Sequence, residues 1–156
     1  MGTVTPIRSK RKPPKRRRQA LQFLVVLLET SPLVWRRILV PDTYSFWDLH
    51  VAIQDAMGWQ GYHLHEFRVV SPKSNRLERL GVPDPECPDE RPVTPDREVR
   101  LTGYFNWDTA SSPPAVTYVY DFGDDWHHAV IFETPGAAGS LSVPRCIGQI
   151  VAKRRR

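Results

Sequence analysis

Six side chains in this 156-residue sequence have the types needed for chemistry: His50, His65, Glu66, Asp121, Asp124 and His128. Imidazoles and carboxylates together can pass a proton as general acid and base, or supply nitrogen and oxygen ligands to a cation. Either task needs them to converge on one point. All but His50 fall in two stretches, Gly61-Tyr-His-Leu-His-Glu-Phe-Arg-Val-Val70 and Tyr118-Val-Tyr-Asp-Phe-Gly-Asp-Asp-Trp-His-His-Ala-Val130. Convergence therefore depends on those stretches lying side by side. The expected cluster sets Asp121 with His127 or His128 at a hairpin end, with His65 nearby. The same residues could equally be a structural polar network at a sheet end, and that reading is preferred. It makes the protein a non-catalytic binding protein, with a metal-dependent enzyme as the alternative. No cofactor and no metal are assigned. His63 and His65 share one strand face that could hold a cation, but a lone His-x-His is a weak metal signal.

The elements that must position these residues follow from hydrophobic pattern. Val116 to Asp121 and Trp126 to Phe132 are β-branched and aromatic runs bounded by prolines, hence two strands of a hairpin. A two-residue loop would pair Asp121 with Trp126; a three-residue loop, Gly123 to Asp125, pairs Phe122 with Trp126. The three-residue loop is preferred because it separates bulky aromatics from polar groups. It collects Tyr118, Tyr120, Phe122, Trp126, His128, Val130 and Phe132 on one face. Leu21 to Leu28 is apolar on both faces and should be a central strand. Leu33 to Val40 is a second strand, with Trp35 and Arg37 on one face and Arg36 and Ile38 on the other. The arginines either cover apolar sheet with their stems or bind an anion.

Ser45-Phe-Trp-Asp48 reads as a capping box. Phe46, Leu49, Ala52, Ile53, Ala56 and Met57 then fall on one helical face, and Gly58 supplies the stop. His50 and Gln54, four apart, read as a surface or boundary pair. Gly61 to Val70 is a third strand. Residues 71–95 carry six prolines and many charges, a long exposed insertion. Arg97 to Leu101 should be extended, Thr102 to Phe105 one helical turn, and Val143 to Gly148 a segment before the basic end. The expected class is α+β, an antiparallel sheet with one main amphipathic helix packed on it.

Length allows one domain with a real core. No apolar run reaches the ~18–20 residues that span a membrane. The basic start is not followed by an apolar signal region, and Pro6 breaks the acylation pattern that would begin at Gly2. Two cysteines, Cys87 and Cys146, make no disulfide framework, so a reducing cytoplasm is expected. The net charge of +5 hides a division. Residues 1–18 hold eight of the 22 basic residues and no acid, and 153–156 hold four more. Residues 19–152 are left with ten against all 17 acidic ones, a net of −7. Like charges and prolines make 1–19 a disordered basic arm. Its Arg8, Lys10, Arg11, Lys12, Lys15, Arg16, Arg17 and Arg18 are the candidate nucleic-acid contacts, or else merely solubilising. There is no P-loop, Gly-x-Ser-x-Gly or His-Glu-x-x-His, and no helix-turn-helix or zinc finger is evident.

Five motifs stand in order: Pro32-Leu-Val-Trp-Arg-Arg-Ile-Leu-Val-Pro41, Leu49-His…Ile53-Gln…Ala56-Met-Gly-Trp59, His63-Leu-His-Glu-Phe67, Tyr120-Asp-Phe-Gly-Asp-Asp-Trp-His127 and Pro144-Arg-Cys-Ile-Gly148. Together they resemble the plasmid pRiA4b ORF-3-like family over roughly 20–148. The resemblance implies an α+β domain with an antiparallel sheet, bacterial origin, and a link to plasmids or insertion elements as a TnpR-type passenger protein. It implies no activity, although a protein partner within a mobile-element system fits. Such relatives continue past Pro-Arg-Cys into a Cys-Pro-Pro-Glu-Asp-Cys-Gly-Gly segment. This sequence runs instead through Gln149-Ile-Val-Ala-Lys-Arg-Arg-Arg156. Residues 149–156 are therefore read as an atypical basic tail, a truncated or frame-shifted end expected to leave an apolar patch uncovered.

Overall fold

The computed structural model describes residues 19–86, 91–106, 109, 112–136, 141 and 144–150. The basic segments 1–18 and 153–156, and Cys87, lie outside the described residues. In chain order the elements are β1 (Ala20–Leu27), β2 (Val34–Pro41), α1 (Phe46–Met57), β3 (His65–Val70), β4 (Leu77–Gly81), β5 (Thr94–Pro95), β6 (Val116–Tyr120), β7 (Trp126–Gly136) and β8 (Arg145–Ile150). The strands form one sheet in the order β5-β4-β3-β6-β7-β1-β2-β8. Neighbours are antiparallel, except that β4 and β5 are parallel. This is an α+β arrangement in which α1 covers one face of the sheet.

The helix forms where local chemistry calls for it. Ser45 Oγ accepts from the Asp48 amide at 3.2 Å, and Asp48 Oδ2 accepts from the Ser45 amide at 2.8 Å. Such a reciprocal box satisfies two amides that a helix start would otherwise orphan. Gly58 ends the helix in the left-handed region at φ 76°, which costs glycine nothing. Phe46, Leu49, Ala52 and Ile53 face the sheet and are buried. Beneath them Phe23, Phe105 and Phe132 pack ring to ring at 5.0–5.5 Å. Arg36 is buried too. Its Nε donates to the Ala56 carbonyl at 2.7 Å, and its Nη1 donates to the Trp35 and Ile150 carbonyls at 2.9 Å. One guanidinium thus ties the last turn of α1 to β2 and β8. Arg37, on the opposite face, bonds both Glu133 oxygens, at 2.8 and 2.7 Å.

β1 is central, between β7 and β2, as its apolar pattern requires. The hairpin departs from the expected register. Tyr120 pairs with Trp126 and Tyr118 with His128, so residues 121–125 make a five-residue loop. The offset is two residues, which conserves the faces: Tyr118, Tyr120, His128, Val130 and Phe132 all point to the core. Asp121 and Asp125 hold positive φ, 59° and 57°, and the Asp121 side chain accepts from the Gly123 and Asp124 amides. Asp is among the residues that tolerate this conformation, so the extra length is stabilised locally.

Other boundaries also differ. The third strand begins at His65, not Gly61. The proline-rich insertion carries β4 and β5, and Arg97–Leu101 opens with a short 3-10 turn, Asp96–Glu98. The segment expected to lead into the basic end forms β8, which runs through Gln149 to Ile150.

Candidate functional site

Where α1 crosses β3 and β6, two imidazoles lie face to face. The His50 and His65 rings stack with centroids 3.5 Å apart and planes within 6°. Each is fixed by one strong bond. The Tyr118 hydroxyl lies 2.7 Å from His50 Nδ1, and Gln54 Nε2 donates to that same hydroxyl at 2.9 Å. His65 Nε2 donates to Asp96 Oδ2 at 2.6 Å. All five groups are buried. Trp47 packs against both rings, and the Arg97 guanidinium sits 3.5 Å from the Trp47 ring centroid.

The local sequence explains this convergence. His50 and Gln54 are four apart on α1 and so share a face, here the buried one; they are not a surface pair. His65 and Tyr118 come from adjacent strands, two residues apart in register and so on one face, because His65 pairs with Tyr120 and Phe67 with Tyr118. Asp96 arrives because the segment after β5 is strapped beside the helix start. Phe46 N donates to the Val99 carbonyl, and Leu101 N donates to the Tyr44 carbonyl, both at 3.0 Å.

Burial first, and then the neighbouring His65 ring, push the His50 imidazole down to about 3. Burial likewise raises the Tyr118 phenol well above its ordinary range. His128, opposite Tyr118 on β7, is fully buried and pushed down to about 4 by the same loss of solvent. Its Nδ1 donates to the Tyr118 carbonyl at 3.2 Å, and its Nε2 has no partner among the described residues. The Trp59 ring meets it edge-on at 5.1 Å.

The six candidates therefore do not meet at one point. His50 and His65 do. Glu66 lies on the far side of the sheet, since successive strand residues alternate. Its carboxylate is buried between Arg68 and Arg79, bonded at 2.6 and 2.8 Å. Burial works to raise it, and the two guanidinium groups outweigh burial and hold it below its usual range. Asp121 and the exposed Asp124 belong to the hairpin loop. Asp121 approaches His63 at 3.5 Å rather than His127 or His128, and His127 turns to Asp125 at 2.9 Å. Imidazole lone pairs lie in the ring plane, so parallel stacked rings do not aim at a common ion. Among the described residues no three His, Cys, Asp or Glu are grouped to hold a metal. What the arrangement does is join α1 to β6, through the His50 and Gln54 bonds to Tyr118, and β3 to the segment after β5, through the His65–Asp96 bond, all between buried groups. Asp96, the partner of His65, was missed, because nothing local marks a residue that acts 31 positions away.

The profile of the plasmid pRiA4b ORF-3-like protein family matches residues 19–153. The chain belongs to that family. The motifs that carry the family resemblance, from Leu49-His to Trp-His127, are the ones that supply His50, Gln54 and His65 and that border Tyr118. The chain is similar to the uncharacterized protein y4hQ of Sinorhizobium fredii (strain NBRC 101917 / NGR234), 38% identical over 113 residues, 72% of this chain and 53% of that protein. It thus spans about half the length of that curated relative. It is also similar to the crystal structure of a protein of unknown function, MM3350, from Methanosarcina mazei Go1. That match has a TM-score of 0.72 at 35% identity, covering 86% of this chain and 71% of the other. Among the described residues no helix is long and apolar enough to cross a membrane.

Proposed function

We propose that the chain is a non-catalytic binding protein of the bacterial cytoplasm, an accessory of plasmids or insertion elements, that contacts nucleic acid through its two basic segments. One observation carries this reading. Twelve of the 22 basic residues lie in 1–18 and 153–156, while 19–152 is net negative. The points from which these segments depart support it. Ala20 stands opposite Pro41, and Ile150 opposite Trp35, at the two ends of β2. Six strand steps of ~3.4 Å put those points roughly 20 Å apart. Duplex DNA carries one charge per ~1.7 Å, so that span faces about 12 phosphates. Cationic segments held that far apart find phosphates readily and have no fixed geometry for reading bases.

The binding reading is supported over the enzymatic alternative by the candidates' not meeting at one point: His50 and His65 stack, while Glu66, Asp121, Asp124 and His128 lie apart from that pair. The test is a full-length variant with Arg8, Lys10, Arg11, Lys12, Lys15, Arg16, Arg17 and Arg18 changed to Gln. Its affinity for labelled duplex at low salt should fall by a hundredfold or more. Unchanged affinity would refute the reading.

A further inference from the structure

The segment after α1 and the hairpin loop meet at one end of the sheet, where the Asp121 amide donates to the Leu64 carbonyl at 2.9 Å. Their aromatic side chains touch in a row. Trp59, just past the Gly58 stop, stacks on Tyr120 with centroids 4.9 Å apart and planes 21° from parallel. Trp126 lies 6.3 Å from Trp59, and His63 meets Tyr120 edge to face at 5.9 Å. The row is not sealed. Trp126 is 40% exposed, and Tyr62, next to His63 in the chain, is 80% exposed. Large aromatic side chains bared together mark a surface that a partner covers.

Charge decides the kind of partner. Stretches 38–67 and 101–144, which supply this surface, contain no Lys or Arg. The loop carries Asp121, Asp124 and Asp125. Asp121 and Asp125 meet only His63 and His127, at 3.5 and 2.9 Å, and the exposed Asp124 has no side-chain partner among the described residues. Glu66 and Glu133, by contrast, are each paired with arginine. Arg36, under the last turn of α1, is buried and spent on backbone carbonyls, and Arg97 lies over Trp47. Carboxylates without cations, set beside open rings, suit a partner that brings flat cations. A guanidinium stacks on an aromatic face and bonds a carboxylate through its edge at the same time, which an ammonium does less well. A polyanion would be repelled, and a neutral apolar partner would bury the carboxylates unpaired. We propose that this surface binds an arginine-rich peptide segment of a partner protein, its guanidinium groups stacking on Trp126 and Tyr62 and pairing with Asp124 and Asp125.

The proposal does not rest on the nucleic-acid reading, and the two fail separately. The test is fluorescence anisotropy of a fluorescein-labelled peptide of alternating Arg and Gly, titrated with the full chain without nucleic acid, beside a Lys-Gly peptide of equal length. The Arg peptide should bind about fivefold or more tighter than the Lys peptide. Asp124→Asn combined with Asp125→Asn should weaken the Arg peptide about fivefold or more, because it removes the paired charges. Asn also tolerates the positive φ of Asp125, so this variant should melt within a few degrees of the parent. The same loss of charge elsewhere, Asp84→Asn with Glu86→Gln, should weaken binding less than about twofold. Trp126→Leu should bring the two peptides to equal affinity. No binding of the Arg peptide, equal affinity of the parent for both peptides, or equal losses in the two double variants would overturn the proposal. So would binding that emerges only after the basic residues of 1–18 and 153–156 are changed to Gln, since the surface would then belong to this chain's own segments.

Discussion

Acidification should unfold this protein through two imidazoles. His50 and His128 sit near 3 and 4 in the fold, against an ordinary 6.5. Between those values and 6.5 the unfolded chain binds protons that the folded chain refuses. Stability is therefore complete above about pH 6.5 and is lost progressively as the pH falls towards 4. Each histidine contributes a slope of about 1.4 kcal/mol per pH unit, and the two together about 2.7. Falling from pH 6.5 to 4.5 then removes about 5 kcal/mol, comparable to the ~5–15 kcal/mol of a whole small domain. Urea unfolding in half-unit pH steps, followed by tryptophan fluorescence, reads this directly, because Trp47 packs on the His50–His65 stack and Trp59 on His128. His128→Leu should halve the slope. At pH 7 that variant should be nearly neutral, since it removes one long bond together with an acceptor that has no partner among the described residues. A free energy that stays flat from pH 7 to 4.5, or an unchanged slope in His128→Leu, would refute the reasoning.

Two further outcomes follow from the buried bonds. Tyr118→Phe removes the hydroxyl shared by His50 and Gln54 and leaves two buried polar atoms unpaired, so stability should fall by about 2–4 kcal/mol in a denaturant titration. Arg36→Met releases the Ala56 and Ile150 carbonyls. It should speed amide exchange in β8 and the last turn of α1 about tenfold or more, while amides of β3 and β6 stay protected.

The helix was legible because its signals are local: Ser45, Asp48 and Gly58 bracket a run with one apolar face. The hairpin faces were legible although its loop was not, because a two-residue error leaves the alternation of Tyr118, Tyr120 and His128 intact. β4 and β5 were hidden by the prolines and charges around them, which pair into the sheet edge only once β3 is in place. The site was half legible. His50 and His65 stood out by type, whereas Gln54 was read with His50 as a surface or boundary pair; stacking of two imidazoles depends on α1 crossing the sheet at one angle, which no local pattern encodes. Asp96 pairs with His65 through a strap held by Val99 and Leu101 backbone bonds, and such bonds leave no trace in side-chain type.

The central claim is that the basic segments grip phosphates without reading sequence. It is tested most directly by the salt dependence of full-length binding to two duplexes of equal length and unrelated sequence, measured by fluorescence anisotropy from about 50 to 200 mM salt. Engagement of ~6 phosphates predicts a log–log slope near −5, the same for both duplexes. A shallow slope with a strong preference for one duplex would contradict it and assign recognition to the folded sheet.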